Sequence, residues 1–560
     1  MTTDRVVESD VCIVGAGPAG IAIALELVGK PVRVVLIESG GLGFERAAQE
    51  LGDGRVVSSQ LSPDAIRVGR RRQFGGTANA WIYRTLPDDG RRYARSLPPE
   101  ALDLSPRPSV PGGGWPLDLA DLAPFHARAQ RLWNGAAFDY DPTHWPSETG
   151  DLSAWTFPGI DTRLAQHGSG DVFSTRYRDD LFAAENVEVL VGTTVRQLTA
   201  GPSGDRVTTV EAVTHLGETI SVRAKAFVLA GGGVENASLL LQSPWGVPGG
   251  AANPHDVVGR FLTDHPEFHV GTIQLSPAVR IQQLANYDLR WAGTTLVAGF
   301  LTLPESLKRD EGLLNFSVAM AAHAPGYGTP THRAVQSLVS RSAGGPRDIA
   351  AAVATAAKHP LDVLGLARSR QASAEFREFS GGWSISDAAL TAIELHGATE
   401  QTPDAQNRVV LERRRDRLGR PRPAVAWQWS VADQDNVARS ITLFRDRLTE
   451  SGVGSFVPWT RLGHGAKHRF NGLHHPMGTT RIDRDARFGV VDAECRVHGL
   501  ANLFIAGSSV FPSGHGYANP TLTVLALAIR LGDHLHTVLG VRGADPSPTT
   551  TGPSQRDPSA

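Results

Sequence analysis

The sequence contains very little cysteine. Only Cys12 and Cys495 occur in 560 residues, and Cys12 lies inside an apolar run, so we expect a buried small side chain there rather than half of a disulfide. The absence of any C-x-x-C pair excludes thiol–disulfide reductases. No cluster of Cys and His has the spacing of metal ligands, so the sequence predicts no metal site.

An excess of charge and a long apolar run are also missing. The formal net charge is -2 and the pI is near 6.8, which excludes a basic nucleic-acid-binding surface. No run approaches the roughly 18 apolar residues of a membrane span. The first strand candidate begins at Asp10, which leaves no room for a signal peptide before the fold starts, so we expect a cytoplasmic enzyme. The length predicts two or more domains, and the Pro, Ser and Thr of 541–560 predict a disordered tail.

The N-terminal segment has the pattern strand, glycine turn, helix and strand. Its turn carries Gly15-x-Gly17-x-x-Gly20, and Glu38 ends the second strand. The three glycines suit a tight turn, close approach of a pyrophosphate and packing of helix on strand, while the acid suits a ribose hydroxyl. This unit predicts dinucleotide binding without choosing between NAD and FAD.

Three further clusters are rich in glycine or histidine. In QFGGTANAW (73–81), Gly75 and Gly76 with Thr77 and Asn79 suit a backbone that lies flat against a planar ring, although an ordinary surface turn has the same composition. The other two clusters are HHPMGTTR (474–481) and the block from Asn502 to Thr523, which includes Gly507 and Ser508.

Strand-like runs fill much of the remaining sequence. Those between 187 and 229 predict antiparallel strands. Further runs between 266 and 450 predict an antiparallel sheet that forms one wall of a substrate cleft; they are HVGTIQL, TTLVAGFLTL, NFSVAMAAH, AIELHGATE and AVAWQWS.

Together with AGGGVENASLLLQS (230–243) and VGRFLTDHP (258–266), these motifs resemble the glucose–methanol–choline (GMC) oxidoreductases, most closely the pyranose 2-oxidase branch. The resemblance covers most of the chain and is weakest across 325–400. It implies an α/β, two-domain GMC fold. A Rossmann-like FAD-binding domain would be assembled from 1–95, 180–265 and 470–540. An antiparallel-sheet substrate-binding domain would comprise 96–179 and 266–469, with a helical insertion at 331–372.

The resemblance also implies a reaction. A hydroxyl of a sugar, glycoside or other polyhydroxylated molecule would lose its proton to His475 and a hydride to flavin N5, and O₂ or another acceptor would reoxidise the flavin. Asn519 would hold the alcohol oxygen. An unperturbed imidazole titrates near pH ~6.5, so we expect flavin reduction to slow as the pH falls through that region.

Cofactor contacts are expected from the glycine motifs, Glu38, Thr77 and Asn79, and from Val195, Gly507, Ser508, Asn519, Pro520 and Thr521. Ala80 stands where some members carry the histidine that attaches FAD covalently, so noncovalent FAD is expected. His515 adds an imidazole near the flavin, and both a structural and a catalytic role remain open for it.

Two alternatives to this function remain at this point. One is a lyase, or a dehydrogenase of a non-sugar alcohol, on the same fold. The other is a membrane-surface or partner-binding role for the basic, Ala-rich segment 331–372, against a lid or packing insertion. The sequence does not separate oxidase from dehydrogenase and predicts no oligomeric state.

Overall fold

The computed structural model describes most of the chain. The described residues are 5–83, 85, 89–145, 154–243, 245, 250–323, 331, 334, 335, 338, 346–361, 363, 364, 392–458, 470, 472–516 and 519–540. The predicted tail at 541–560 and most of the predicted insertion at 331–372 lie outside them. Among the described residues, no helix has the length and apolar character that would span a membrane.

A five-stranded parallel sheet carries the N-terminal glycine turn at the end of its strand β2. Its strands in spatial order are β20 (Leu503–Ile505), β11 (Ala226–Leu229), β2 (Val11–Val14), β3 (Val34–Ile37) and β7 (Val187–Leu190). Every residue of β3 and β11 is buried, as is typical of parallel strands covered on both faces.

Two smaller sheets accompany this one. A four-stranded sheet has the order β1 (Arg5–Glu8), β10 (Thr219–Arg223), β9 (Val207–Thr214) and β8 (Thr193–Ala200). A three-stranded sheet has the order β17 (Arg408–Arg415), β18 (Pro421–Ala426) and β4 (Arg55–Val57).

The fourth sheet is large, and its named strand pairs are antiparallel. Its order is β19 (Gly454–Pro458), β12 (Glu267–Leu275), β16 (Ala392–Thr399), β15 (Phe316–His323), β14 (Thr295–Thr302), β6 (Asp161–Ser169) and β5 (Tyr93–Ser96), with β13 (Arg290–Ala292) paired to β14. This sheet is the predicted wall of the cleft.

The α-helices of the described residues differ greatly in length. They are α1 (Pro18–Leu27), α2 (Arg46–Gln49), α3 (Ala101–Leu104), α4 (Leu119–Asn134), α5 (Tyr177–Ala183), α6 (Gly232–Leu241), α7 (Glu305–Asp310), α8 (Pro346–Lys358), α9 (Val431–Glu450) and α10 (Thr521–Val538). The apolar helix α10 packs against both α1 and α4, and this packing ties the C-terminal motif block to the N-terminal glycine turn.

Two predictions about the strands were wrong. The ends of the 187–229 region, β7 and β11, belong to the parallel sheet, in which β7 pairs with β3 at the edge and the fully buried β11 pairs with β2 and β20. The run AVAWQWS contributes only its first residues to a strand, β18, which pairs with β4 and β17 and not with the cleft wall. Trp427 and Trp429 follow that strand and are buried in the core.

Candidate active site

The glycine turn between β2 and α1 has the expected division of roles. Gly15 has φ 109°, and a Cβ there would lie 2.6 Å from the carbonyl oxygen of Ala230. A Cβ on Gly20 would lie 2.0 Å from the Gly15 oxygen, so this glycine lets helix and turn pack closely. At Gly17 the nearest atom to such a Cβ is 3.9 Å away, which leaves this position open to a ligand.

The second glycine segment lies directly against the first. The Gly75 N–H donates to the Ala16 carbonyl at 2.8 Å, and a Cβ on Gly76 would lie 2.7 Å from Gly17 Cα. The Asn79 amide donates to the carbonyls of Phe74 and Gly76, both at 2.9 Å, so it braces the turn. Thr77 lies in the same short helical turn, Gly76–Ala80.

Glu38 is buried at the end of β3 and holds the backbone around it. Its carboxylate accepts from the N–H of Ala16 and of Gly40, each at 2.9 Å. Burial raises the pKa of Glu38 above its usual range. The Ser39 and Thr194 hydroxyls lie 2.8 Å apart, which places β8, with the buried Val195, beside this end of the sheet.

The two C-terminal clusters meet each other. The Ser508 hydroxyl donates to the carbonyl of Pro476 at 2.8 Å, and the Thr480 N–H donates to the carbonyl of Ser509 at 2.9 Å. Gly507 has φ 106°, and a Cβ there would lie 3.9 Å from Gly232 Cα at the start of α6. The loop that carries His475 is therefore fixed to the end of β20.

His475 lies beside a second imidazole that the sequence analysis did not single out. The ring centroids of His475 and His265 are 5.2 Å apart. The buried Asp264 carboxylate accepts from both backbone N–H groups, at 2.9 Å from His475 and 2.7 Å from His265. Nδ1 of His475 is buried and has no hydrogen-bond partner among the described residues. Asp264 thus sets the position of both histidines.

The pKa of His475 lies well below 6.5. Burial is the main cause, and positive charge on His265, His474 or Arg95 would add to it. Burial, with His515 and Arg95, also lowers the pKa of His265 to about 3. This environment corrects the expectation of a titration near pH 6.5 and keeps the His475 imidazole neutral, as a general base requires.

The neighbouring histidine, His474, points elsewhere. Its side chain is exposed and packs against Gly69, where a Cβ would lie 3.1 Å from His474 Nδ1. The side chains of these two adjacent histidines therefore contact different parts of the molecule.

Asn519, Pro520 and Thr521 lie together at the start of α10. Asn519 is buried, and its Oδ1 has no hydrogen-bond partner among the described residues. Thr521 is the first residue of α10, and none of the side chains that the structure describes caps this helix end. The backbone N–H groups at the start of α10 and the positive end of the helix dipole are therefore suited to an anionic group.

His515 is fully buried between two aromatic rings. Its ring centroid is 5.5 Å from that of Trp115 and 5.0 Å from that of Phe511. Burial lowers the pKa of His515 to about 3, and neither ring nitrogen has a hydrogen-bond partner in the described part of the chain.

A cavity of about 240 Å³ lies across the face of the large sheet. This volume is below the roughly 300–1,000 Å³ of pockets for drug-sized ligands, so it suits a small polar ligand. Arg95 lines the cavity, and its positive charge contributes to lowering the pKa of His475. Small side chains form its floor: Ala165, Ala298, Ala319, Ala321 and Ala398.

Three polar residues at the cavity wall were missed by the sequence analysis. His269 on β12 and His396 on β16 line the cavity, and Glu394 lies fully buried beside them. Each of the three side chains has one atom that could bind a metal ion, and these three atoms lie within 4.8 Å of one another. The expectation of no metal site considered spacing along the chain, whereas cross-strand pairing assembles this cluster. The available signal was Glu394-x-His396, which places two polar side chains on one face of a strand.

The fold and these contacts define a class, the dinucleotide-binding flavoproteins. Gly17 and Gly507 leave backbone open to a ligand at one edge of the parallel sheet, and the Gly75–Gly76 segment packs directly against Gly17. Glu38 lies at the end of β3, where the sequence predicts contact with a ribose, and the start of α10 is suited to an anionic group. These residues fit FAD.

Comparison with known proteins agrees with this class. Residues 10–244 match the family model described as FAD dependent oxidoreductase, and residues 403–528 match that of GMC oxidoreductase. The chain is 26% identical to 6'''-hydroxyparomomycin C oxidase of Streptomyces lividus, covering 94% of this chain and 91% of the relative. It is 25% identical to paromamine 6'-oxidase of Streptomyces fradiae, and the match covers 93% of this chain and 90% of that relative. A crystal structure of formate oxidase shares the fold, with a TM-score of 0.53 and 16% identity. The match covers 96% of this chain and 99% of the formate oxidase chain.

The chain belongs to the GMC oxidoreductase family and is an FAD-dependent oxidoreductase that acts on CH–OH groups. The predicted family, fold class, cofactor and reaction class are confirmed, and the lyase alternative is not favoured. The roles of individual site residues, the domain boundaries and noncovalent attachment of FAD stay predictions.

Proposed function

We propose that this enzyme oxidises a hydroxyl of a sugar or aminoglycoside to a carbonyl in the cavity beside His475. The observation that carries the proposal is a half-buried imidazole with a depressed pKa, which feels the charge of Arg95, a residue that also lines a cavity on the large sheet. The two relatives named for aminoglycoside compounds support the substrate class, since each is similar to nearly the whole chain.

His475 acts as the general base in this proposal. Its depressed pKa keeps the ring able to accept the hydroxyl proton at neutral pH and below. The Asp264 carboxylate holds the backbone of His475, so the ring keeps one position relative to the cavity. The chemistry that FAD supplies when bound is acceptance of the hydride that leaves the carbinol carbon.

Asn519 positions the substrate. Its buried Oδ1 has no hydrogen-bond partner among the described residues, and a substrate hydroxyl would satisfy it. An amide does not take up a proton at neutral pH, so Asn519 orients the alcohol while His475 receives the proton.

A panel of alcohols tests the proposed substrate class. Purified holoenzyme is mixed anaerobically with monosaccharides, glycosides, aminoglycosides and simple alkanols, and bleaching of the flavin absorbance is recorded before and after air is admitted. Bleaching by sugars or aminoglycosides, with a carbonyl product, is the expected result. Bleaching by alkanols alone would refute the proposed class. Recovery of colour in air distinguishes an oxidase from a dehydrogenase.

A further inference from the structure

The guanidinium of Arg95 has no acidic partner among the residues that the structure describes. The side chain lines the cavity on the large sheet, and its Nε is buried without a hydrogen-bond partner in the described part of the chain. We propose that Arg95 binds a carboxylate of the substrate. This inference rests on the proposed function, and it specifies the substrate as a sugar acid of one ring.

Aromatic rings hold the guanidinium in place. Arg95 lies on β5, opposite His167 of β6. Its guanidinium carbon is 5.9 Å from the ring centroid of Tyr83 and 5.9 Å from that of Phe300. The ring of Tyr83 in turn packs edge-on against His167, with the centroids 5.1 Å apart. Cation–π contacts fix the position of a guanidinium but use none of its N–H donors, so these donors can bind a ligand.

Other half-buried arginines of the chain have a carboxylate partner. Arg107 is hydrogen-bonded to both oxygens of Glu400, and Arg70 Nη1 lies 2.9 Å from Glu235 Oε1. A charge removed from water without such a partner costs free energy, and a bound anion would offset that cost at Arg95. The planar fork of a guanidinium matches the two oxygens of a carboxylate. The environment of Arg95 therefore favours a ligand with a carboxylate.

Charge and volume of the cavity restrict the ligand further. Among the described residues that line it, Arg95 is the only Arg or Lys, which suits the single charge of a carboxylate better than a phosphate monoester of about −1.5 to −2. The other charged group at the wall is Glu267, whose side chain is exposed, so water solvates its charge. A cavity of about 240 Å³ suits one ring.

The cavity wall is continuous along the chain with the catalytic region. Glu267 follows His265 by two residues, so their Cα atoms are at most about 7 Å apart. The ring of His265 packs on His475, with the centroids 5.2 Å apart. In the proposed complex, the carboxylate of the ring therefore binds at Arg95 and a hydroxyl of the same ring is oxidised at His475.

Two probes with the same ring test the role of Arg95. Methyl glucuronide carries a carboxylate where methyl glucoside carries a hydroxymethyl group. Calorimetric titrations use FAD-loaded His475→Ala enzyme as the common background, so that turnover does not add heat. In this background the glucuronide should bind at least about tenfold more tightly than the glucoside, as expected for hydrogen bonds between charged groups. Arg95→Gln should weaken glucuronide binding about tenfold or more and glucoside binding less than about threefold. Arg95→Lys keeps the charge and should retain more of the preference than Arg95→Gln.

Arg487→Gln is the matched control, because Arg487 also lies over an aromatic ring, that of Phe488 at 5.7 Å, but is exposed and paired with Asp485. It should leave both affinities unchanged. No binding of the glucuronide by the background enzyme, equal affinities for the two probes, or an unchanged glucuronide affinity in Arg95→Gln would each overturn the inference. The alcohol panel tests the proposed function separately, because calorimetry does not depend on turnover.

Discussion

The pH dependence of flavin reduction tests the environment of His475. Burial, together with His265, His474 and Arg95, lowers the pKa of this imidazole well below 6.5, so its neutral, basic form should persist as the pH falls. A base with an ordinary pKa of ~6.5 would be about one-eleventh neutral at pH 5.5, and the rate would fall about elevenfold from its plateau. For His475 we expect a fall of less than about twofold between pH 7.5 and pH 5.5.

The assay is anaerobic stopped-flow reduction of the enzyme-bound flavin by a saturating alcohol from the panel. Asn519→Ala is the control, because it should slow reduction at every pH without moving the profile, since an amide does not ionise. If the reduction rate of the wild type falls to half of its plateau near pH ~6.5, the imidazole is not desolvated. That result would refute the reasoning from burial.

Three other predictions concern the cofactor and the core. Gly17→Ala should leave the thermal stability of the apoprotein unchanged, because no atom lies nearer than 3.9 Å to a Cβ at this position. The same substitution should weaken FAD binding at least about tenfold, and an unchanged affinity in a flavin fluorescence titration would argue against close approach of FAD to Gly17. Acid precipitation should release FAD into the supernatant, since Ala80 offers no imidazole for a covalent link, and flavin retained in the pellet would contradict noncovalent binding. Lys308→Met should lower the free energy of unfolding by about 3 kcal/mol in urea titrations, because the fully buried Lys308 neutralises Glu100, although Arg163 remains as a partner. A loss below about 1 kcal/mol would show that the network tolerates the missing charge.

Local rules predicted the cofactor end of the site from the sequence. The close packing of Gly20 on Gly15 lies within one strand–turn–helix unit, and Glu38 ends the next strand as the pattern predicts, whereas Gly15 packs on Ala230 and Gly17 faces Gly76. The same kind of argument failed for β7 and β11, because the sequence of a four-residue strand does not show whether its neighbours in the sheet are parallel.

The substrate end depends on contacts between distant segments, which the sequence does not specify by spacing. His269 and His396 are 127 positions apart and meet only through strand pairing. The position of His265 beside His475 depends on the Asp264 carboxylate, which accepts from backbone groups of two separate segments. The depressed pKa of His475 is likewise a property of its burial and not of its motif.

The most direct test of the central claim is the rate of anaerobic flavin reduction in FAD-loaded His475→Ala, compared with His474→Ala. If His475 accepts the proton of the alcohol, His475→Ala should bind FAD normally and reduce it about 10²–10⁴-fold more slowly. His474→Ala should have a mild effect, because that side chain is exposed and packs on Gly69. Fast reduction in His475→Ala together with abolished reduction in His474→Ala would contradict the assignment of the catalytic base.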